Sequence, residues 1–168
     1  MVHPYPYGET LNYSLFLQTF FQYRVPAGCS VFRMEANAID IEAAAKRYAD
    51  LLPDSIDVIL LGVGEDGHIA SLFPNKAALQ ECKRRVVHIT GPKPPFERLT
   101  ITPQVIAKAR SVLLLATGSA KAAVLCAALN NPNDIAALPA RLKLGGTWLM
   151  DHLPHLNNNA FIKKLNFT

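Results

Sequence analysis

The chain has 168 residues, half of them apolar and 18% charged, which leaves room for one ordinary domain and is too hydrophobic for a disordered chain. Seventeen Lys and Arg against thirteen Asp and Glu give a net charge of +4 with no long block of one sign, so nucleic-acid binding lacks its basic stripe. Cys29, Cys82 and Cys126 are odd in number, widely spaced and in no C-x-x-C pair, which argues against a disulfide framework or a zinc site and for a reducing, cytoplasmic setting.

In chain order, residues 10 to 23 are rich in Leu, Phe and Tyr and predict a buried helix ending before Pro26. Residues 30 to 34 predict a short strand. From residue 37 to 52 the apolar positions Ile41, Ala45, Tyr48 and Leu52 recur at helical spacing, Glu42 and Lys46 stand four apart on the polar side, and Pro53 closes the element. Residues 57 to 63 form a continuous apolar run of strand length that suits a strand covered on both faces. A second strand is predicted over residues 86 to 90 and a short extended piece over 99 to 102. A helix comes next with Pro103 in its first turn, ending near Arg110. Residues 111 to 117 are a third apolar run, followed by Gly118 and an alanine-rich helix to about Leu129; beyond Leu144, Trp148 marks a last short strand. Strand, glycine, helix thus occurs twice, the pattern of an α/β layer structure with a largely parallel sheet and ligand sites outside the carboxyl ends of its strands. No repeat or linker divides residues 1 to 168, so a single domain is expected. No apolar run reaches the roughly 18 residues a membrane span requires, and no secretory leader is evident. The glycosylation triplets at Asn12 and Asn166 are therefore set aside.

The most informative stretch is Gly62-Val63-Gly64-Glu65-Asp66-Gly67-His68-Ile69-Ala70-Ser71-Leu72-Phe73-Pro74, directly behind the strongest strand. Its first six residues satisfy G-x-G-x-x-G, yet Pro74 interrupts the long helix a dinucleotide site wants and no acidic residue closes the next strand. A second reading uses the same loop differently: glycines let the backbone approach a ligand, and Asp66 orients His68 as an acid-base group. The structural alternative makes Asp66 the cap of a short helix with His68 packed beneath it. Glycines on both sides of Asp66 and a strand behind them favour the acid-base pair. Ser71 lies in no G-x-S-x-G elbow and reads as structural, and His152 and His155 straddle Pro154, which spoils a helical metal pair. Three cations are candidates for an anion pocket: Lys93 among prolines, Arg98 before an extended segment, and Lys121 in the first turn after Gly118.

These residues carry a resemblance. Gly62 to Pro74, with Pro92-Lys93-Pro94-Pro95, Arg98-Leu99-Thr100-Ile101-Thr102, Ala116-Thr117-Gly118 with Lys121-Ala122, and Trp148 with Asp151, are similar to the 6-phosphogluconolactonase family, in the family's order and across essentially the whole chain. The related glucosamine-6-phosphate deaminases share D-G-H but continue A-F-N-E-P; Phe73 stands here where they carry a glutamate, so no deamination is expected.

The resemblance implies hydrolysis of 6-phosphogluconolactone to 6-phosphogluconate in the oxidative pentose phosphate pathway, without metal or organic cofactor. It implies His68 as the base that activates water and Asp66 as its orienting partner. Lys93, Arg98 and Lys121 become candidates for the phosphate, and the amides about Gly64 and Gly67 for the lactone carbonyl. Family members also carry, upstream, a first strand with an S-G-G-x-T/S phosphate loop and a D-E-R segment. Neither is present, and Thr10-Leu11-Asn12-Tyr13 resembles the segment that comes directly after D-E-R in the family. The expectation is an N-terminally truncated, incomplete Rossmann-like three-layer α/β domain. Its exposed sheet edge invites self-association, and its activity is low or lost. The competing function is a catalytically impaired remnant that binds sugar phosphate or serves in assembly.

Overall fold

The computed structural model describes residues 12–22, 24–130, 134–151 and 161–164, and these divide into two compact units at residues 33 and 34. The first unit holds helix α1, Asn12–Phe20. Its aromatic rings pack on one another, Phe16 stacking on Phe20 at 5.1 Å and meeting Phe21 edge-on at 5.2 Å. The expected buried helix is instead exposed at Leu15, Phe16 and Phe20. Residues 30 to 34 carry no strand.

The second unit begins with helix α2, Ile41–Leu51, which starts where Asp40 accepts a hydrogen bond from the amide of Ala43 at 2.9 Å. Its small residues Ala44 and Ala45 are buried against Val86 and Leu99. Glu42 and Lys46, four apart on the polar side, turn to different partners. Lys46 bonds Asp50 one turn on, at 2.8 Å, and Glu42 turns to Arg84 and His88 across the packing interface.

The main sheet contains β1, Val58–Gly62; β4, Ser111–Ala116; β5, Thr147–Met150; and β6, Phe161–Lys164, in the order β1-β4-β5-β6. The first three are mutually parallel and β6 is antiparallel, so the predicted parallel core is present. Strands β2, Val86–Thr90, and β3, Glu97–Ile101, leave this sheet and form their own antiparallel pair. Helix α3, Pro103–Lys108, precedes β4, and helix α4, Ala122–Asn130, comes after it across a single 3₁₀ turn.

One face of the main sheet is dry. Ile59, Leu61, Val112, Leu114, Trp148 and Met150 pack there with Ile106 of α3 and Val124 and Leu125 of α4. The opposite face is open: Val58 is 57% exposed, Leu60 60% and Leu115 38%, so β1 is not covered on both sides as its composition predicts. Register explains the split, because Val58 lies beside Ser111, Leu60 beside Leu113 and Gly62 beside Leu115, all pointing the same way. The buried Arg141 steadies the dry side without a carboxylate. Its guanidinium donates to the carbonyls of Ala127 in α4 and Asp134, where the negative end of the helix dipole favours a cation.

Candidate active site

Parallel strands bring their carboxyl ends to one edge, and β1, β4 and β5 accordingly deliver Gly62, Ala116 and Met150 side by side. The loop leaving β1 does not continue into a helix. It folds back in a tight turn: the amide of Gly67 donates to the carbonyl of Gly64 at 3.0 Å, and the amide of Gly64 to that of His68 at 2.8 Å. Residues 69 to 73 form turns and isolated bridges, which removes the helix a dinucleotide fingerprint needs and the helix Asp66 would have capped. Ser71 lies in a turn, its amide donating to the Thr100 hydroxyl at 3.1 Å.

Within the turn, Oδ1 of Asp66 accepts the backbone amide of His68 at 3.1 Å and lies 2.5 Å from Nδ1 of the same residue. A carboxylate can only accept, so Nδ1 carries the proton and Nε2 presents its lone pair away from Asp66. Burial raises the Asp66 carboxyl, but the side-chain hydrogen bond from His68, its backbone amide and the imidazole charge outweigh this and leave it below the ordinary carboxylate range. Asp66 therefore stays ionised at neutral pH and holds the ring with Nε2 as its acceptor. Gly64 is the residue that permits the pair, since a Cβ there would press on the imidazole and come within 2.6 Å of Oδ1 of Asp66. Gly67 sits at φ +78°, and a Cβ would collide with Leu138.

The cations separate into two kinds. Lys121 reaches the loop itself, its Nζ donating to the carbonyl of Val63 beside Gly64. Its 3₁₀ turn is aimed by Gly118, whose amide donates to both oxygens of Asp151 at 2.8 and 2.9 Å, just past the end of β5. Arg98 on β3 donates from Nε to the carbonyl of Pro95 at 2.8 Å and from Nη2 to that of Lys93 at 3.0 Å. Its Cζ lies over the ring of Phe73 at 5.3 Å, and that ring lies 4.6 Å from the imidazole of His68. Lys93 thus joins the group through its carbonyl, and the residue itself is exposed.

Two residues named in the sequence, Asp151 and Phe73, have no site role there and contribute to the site in the fold. Asp151 sits far along the chain from Gly118, and only the β4–β5 pairing makes them neighbours. Phe73 looks like core in any periodicity count, and its contacts appear only once the loop is folded. Among the described residues, no group of three His, Cys, Asp or Glu is disposed to hold a metal ion; His152 and His155 lie outside the described residues. Three thiols are unpaired, and no described helix is long and apolar enough to cross a membrane. A groove of about 460 Å³ runs along β2 beside Lys76, Glu81, Arg84 and His88, and none of the predicted site residues lines it.

Against known proteins, the family described as glucosamine-6-phosphate isomerases/6-phosphogluconolactonase matches residues 6–148. A 6-phosphogluconolactonase of Mycobacterium leprae is 41% identical over 125 residues, 67% of this chain and 50% of that protein. The solved 6-phosphogluconolactonase of Trypanosoma cruzi is 27% identical with a TM-score of 0.63, covering 85% of this chain and 63% of that one. A solved monomeric glucosamine-6-phosphate deaminase is equally near in fold, 26% identical with a TM-score of 0.66 over 82% of this chain and 63% of that one. The chain spans about half the length of the curated relatives it matches.

Proposed function

From its membership of the glucosamine-6-phosphate isomerase/6-phosphogluconolactonase family, which this chain belongs to by a match over residues 6–148, we propose that it hydrolyses 6-phosphogluconolactone to 6-phosphogluconate, the lactonase step of the oxidative pentose phosphate pathway. The observation that carries this reading is the Asp66–His68 pair, 2.5 Å apart in the loop that leaves the carboxyl end of β1, with the Lys121 ammonium on the same loop. Nε2 of His68 takes a proton from water, and the resulting hydroxide adds to the lactone carbonyl carbon. The carbonyl π pair moves to oxygen, where the Lys121 ammonium stabilises the developing charge; the amides of Gly64 and Gly67, expected to share this role, already donate to the carbonyls of His68 and Gly64. Collapse of this tetrahedral species breaks the ring carbon–oxygen bond, and the imidazolium returns its proton to the departing hydroxyl. Water is consumed, His68 returns the proton it took, and the carboxylic acid formed gives up its own proton to solvent. Arg98 holds the phosphate through the part of its guanidinium not engaged by Pro95 and Lys93, and Lys93 adds a mobile positive charge near it. The reaction so written uses only side chains and backbone of the chain, with no metal or organic cofactor. The unpaired thiols favour the cytoplasm as its setting.

The test is the rate of acid release from fresh lactone. His68→Ala removes the base and is expected to lower kcat by about 10² to 10⁴. If wild type and variant both proceed at the spontaneous rate, the hydrolytic reading fails.

The open face of β1 favours a second reading, in which the chain binds sugar phosphate or assembles with little catalysis. On this reading two copies associate through the edge of β1, which no strand pairs among the described residues and where Val58 and Leu60 stand exposed.

A further inference from the structure

We propose that Phe73 is a positioning residue that sets the spacing between the base and the guanidinium, an inference that rests on the hydrolytic reading above. The ring is 3% exposed and cannot itself meet a polar substrate. It contacts two groups that can: the His68 imidazole, with centroids 4.6 Å apart and planes tilted by 40°, and the Arg98 guanidinium, with Cζ at 5.3 Å. The two distances together hold imidazole and guanidinium within about 10 Å of one another. A six-carbon lactone phosphorylated at its far carbon separates its carbonyl carbon from its phosphorus by five bonds, about 6 Å when extended, a separation of the same order as that span.

The ring adds to an anchor that each group already has. Asp66 grips His68 at a single ring atom, Nδ1, which leaves the imidazole free to tilt about that contact. Arg98 is tied to the carbonyls of Lys93 and Pro95, which belong to an exposed loop. The face of Phe73 supplies a further constraint to each: van der Waals contact against the imidazole, and attraction of the ring's electron-rich face for the guanidinium. The backbone around it is bent to suit. Ala70 at φ +51° and Asn75 at φ +56° bracket Phe73, left-handed positions that residues other than glycine rarely occupy.

Phe73→Leu keeps apolar filling and removes the flat face, whereas Phe73→Tyr restores it. In the folded Leu variant kcat is expected to fall and KM for the lactone to rise, with kcat/KM down about tenfold or more, because the reacting carbon and the base no longer share one frame. The Tyr variant is expected to recover most of this loss. Independently of activity, the ring protons of His68 lose their upfield ring-current displacement in the Leu variant's NMR spectrum and regain it in the Tyr variant. A folded Leu variant with both kinetic constants within about twofold of wild type, and His68 resonances unmoved, overturns the inference. A wild type that does not hydrolyse lactone sinks the hydrolytic reading instead, and the His68 resonances then decide alone whether Phe73 positions the imidazole.

Discussion

Gly64 is the residue on which the acid-base pair turns, and its value is the absence of a side chain. A Cβ at this position would enter the space shared by the imidazole and by Oδ1 of Asp66, 2.6 Å from the latter. Overpacking of this kind costs about 1 to 3 kcal/mol when neighbours must move, and here the neighbours are the reacting groups. Gly64→Ala is accordingly expected to lower kcat by about tenfold or more while the protein stays folded, with urea titration separating the two effects. A Gly64→Ala enzyme with unchanged kcat would show that the imidazole is not held where the loop places it.

At the scale of elements, the segment joining the short 3₁₀ turn of residues 77 to 80 to β2 is organised by one carboxylate. Glu81 accepts the amides of Lys83 and Arg84 at 2.8 and 3.0 Å and the Arg84 side chain at 2.8 Å. The backbone amides of Arg84 and Lys83, then the Arg84 side chain, pull its carboxyl down to about 2. A carboxyl lowered in the folded state stabilises the fold at pH values above its unfolded value of 4.5, and that contribution drains away as pH falls from there towards 2. Glu81→Gln is therefore expected to lower Tm modestly at pH 7 and much less near pH 2, where about half of the wild-type carboxyl is protonated. Thermal melts across pH 2 to 7 check this. Equal Tm differences at both ends would mean that the Glu81 charge contributes nothing. The same region carries His88, between Glu97 on β3 and Glu42 on α2, so that charged contacts tie the antiparallel pair to the helix packed on it.

For the molecule as a whole, the decisive feature is the edge of the main sheet. The amide of Val63 donates to Leu115 and the amide of Ser111 to Asp57, so the odd-numbered residues from 57 to 63 face β4. In a parallel ladder the alternate residues Val58, Leu60 and Gly62 then direct their amides and carbonyls outward. Neither charge nor proline interrupts this edge, and its side chains are apolar. Two copies related by a two-fold axis can pair these edges antiparallel and place Leu60 beside its own counterpart. Val58→Lys with Leu60→Lys puts like charges at that junction. Sedimentation velocity over rising concentration is expected to show wild type associating and the double variant remaining monomeric. A wild type that sediments as a monomer at every concentration removes the proposal.

The sequence by itself determined the local chemistry and the order of elements. Its apolar runs marked the strands at residues 58 to 62, 86 to 90 and 111 to 116, Pro103 marked the start of α3, and Gly64, Asp66 and His68 marked the loop that holds the candidate pair. Those features are legible because each depends on neighbours within a few residues. The features that only tertiary structure decided depend on partners far along the chain. The pairing of β2 with β3 apart from the main sheet, the Asp151 grip on Gly118 and the stack of His68, Phe73 and Arg98 all belong to this class. So does the open face of β1. A run of apolar residues reports how much hydrophobic surface a strand carries, and not whether a neighbour arrives on each side to cover it.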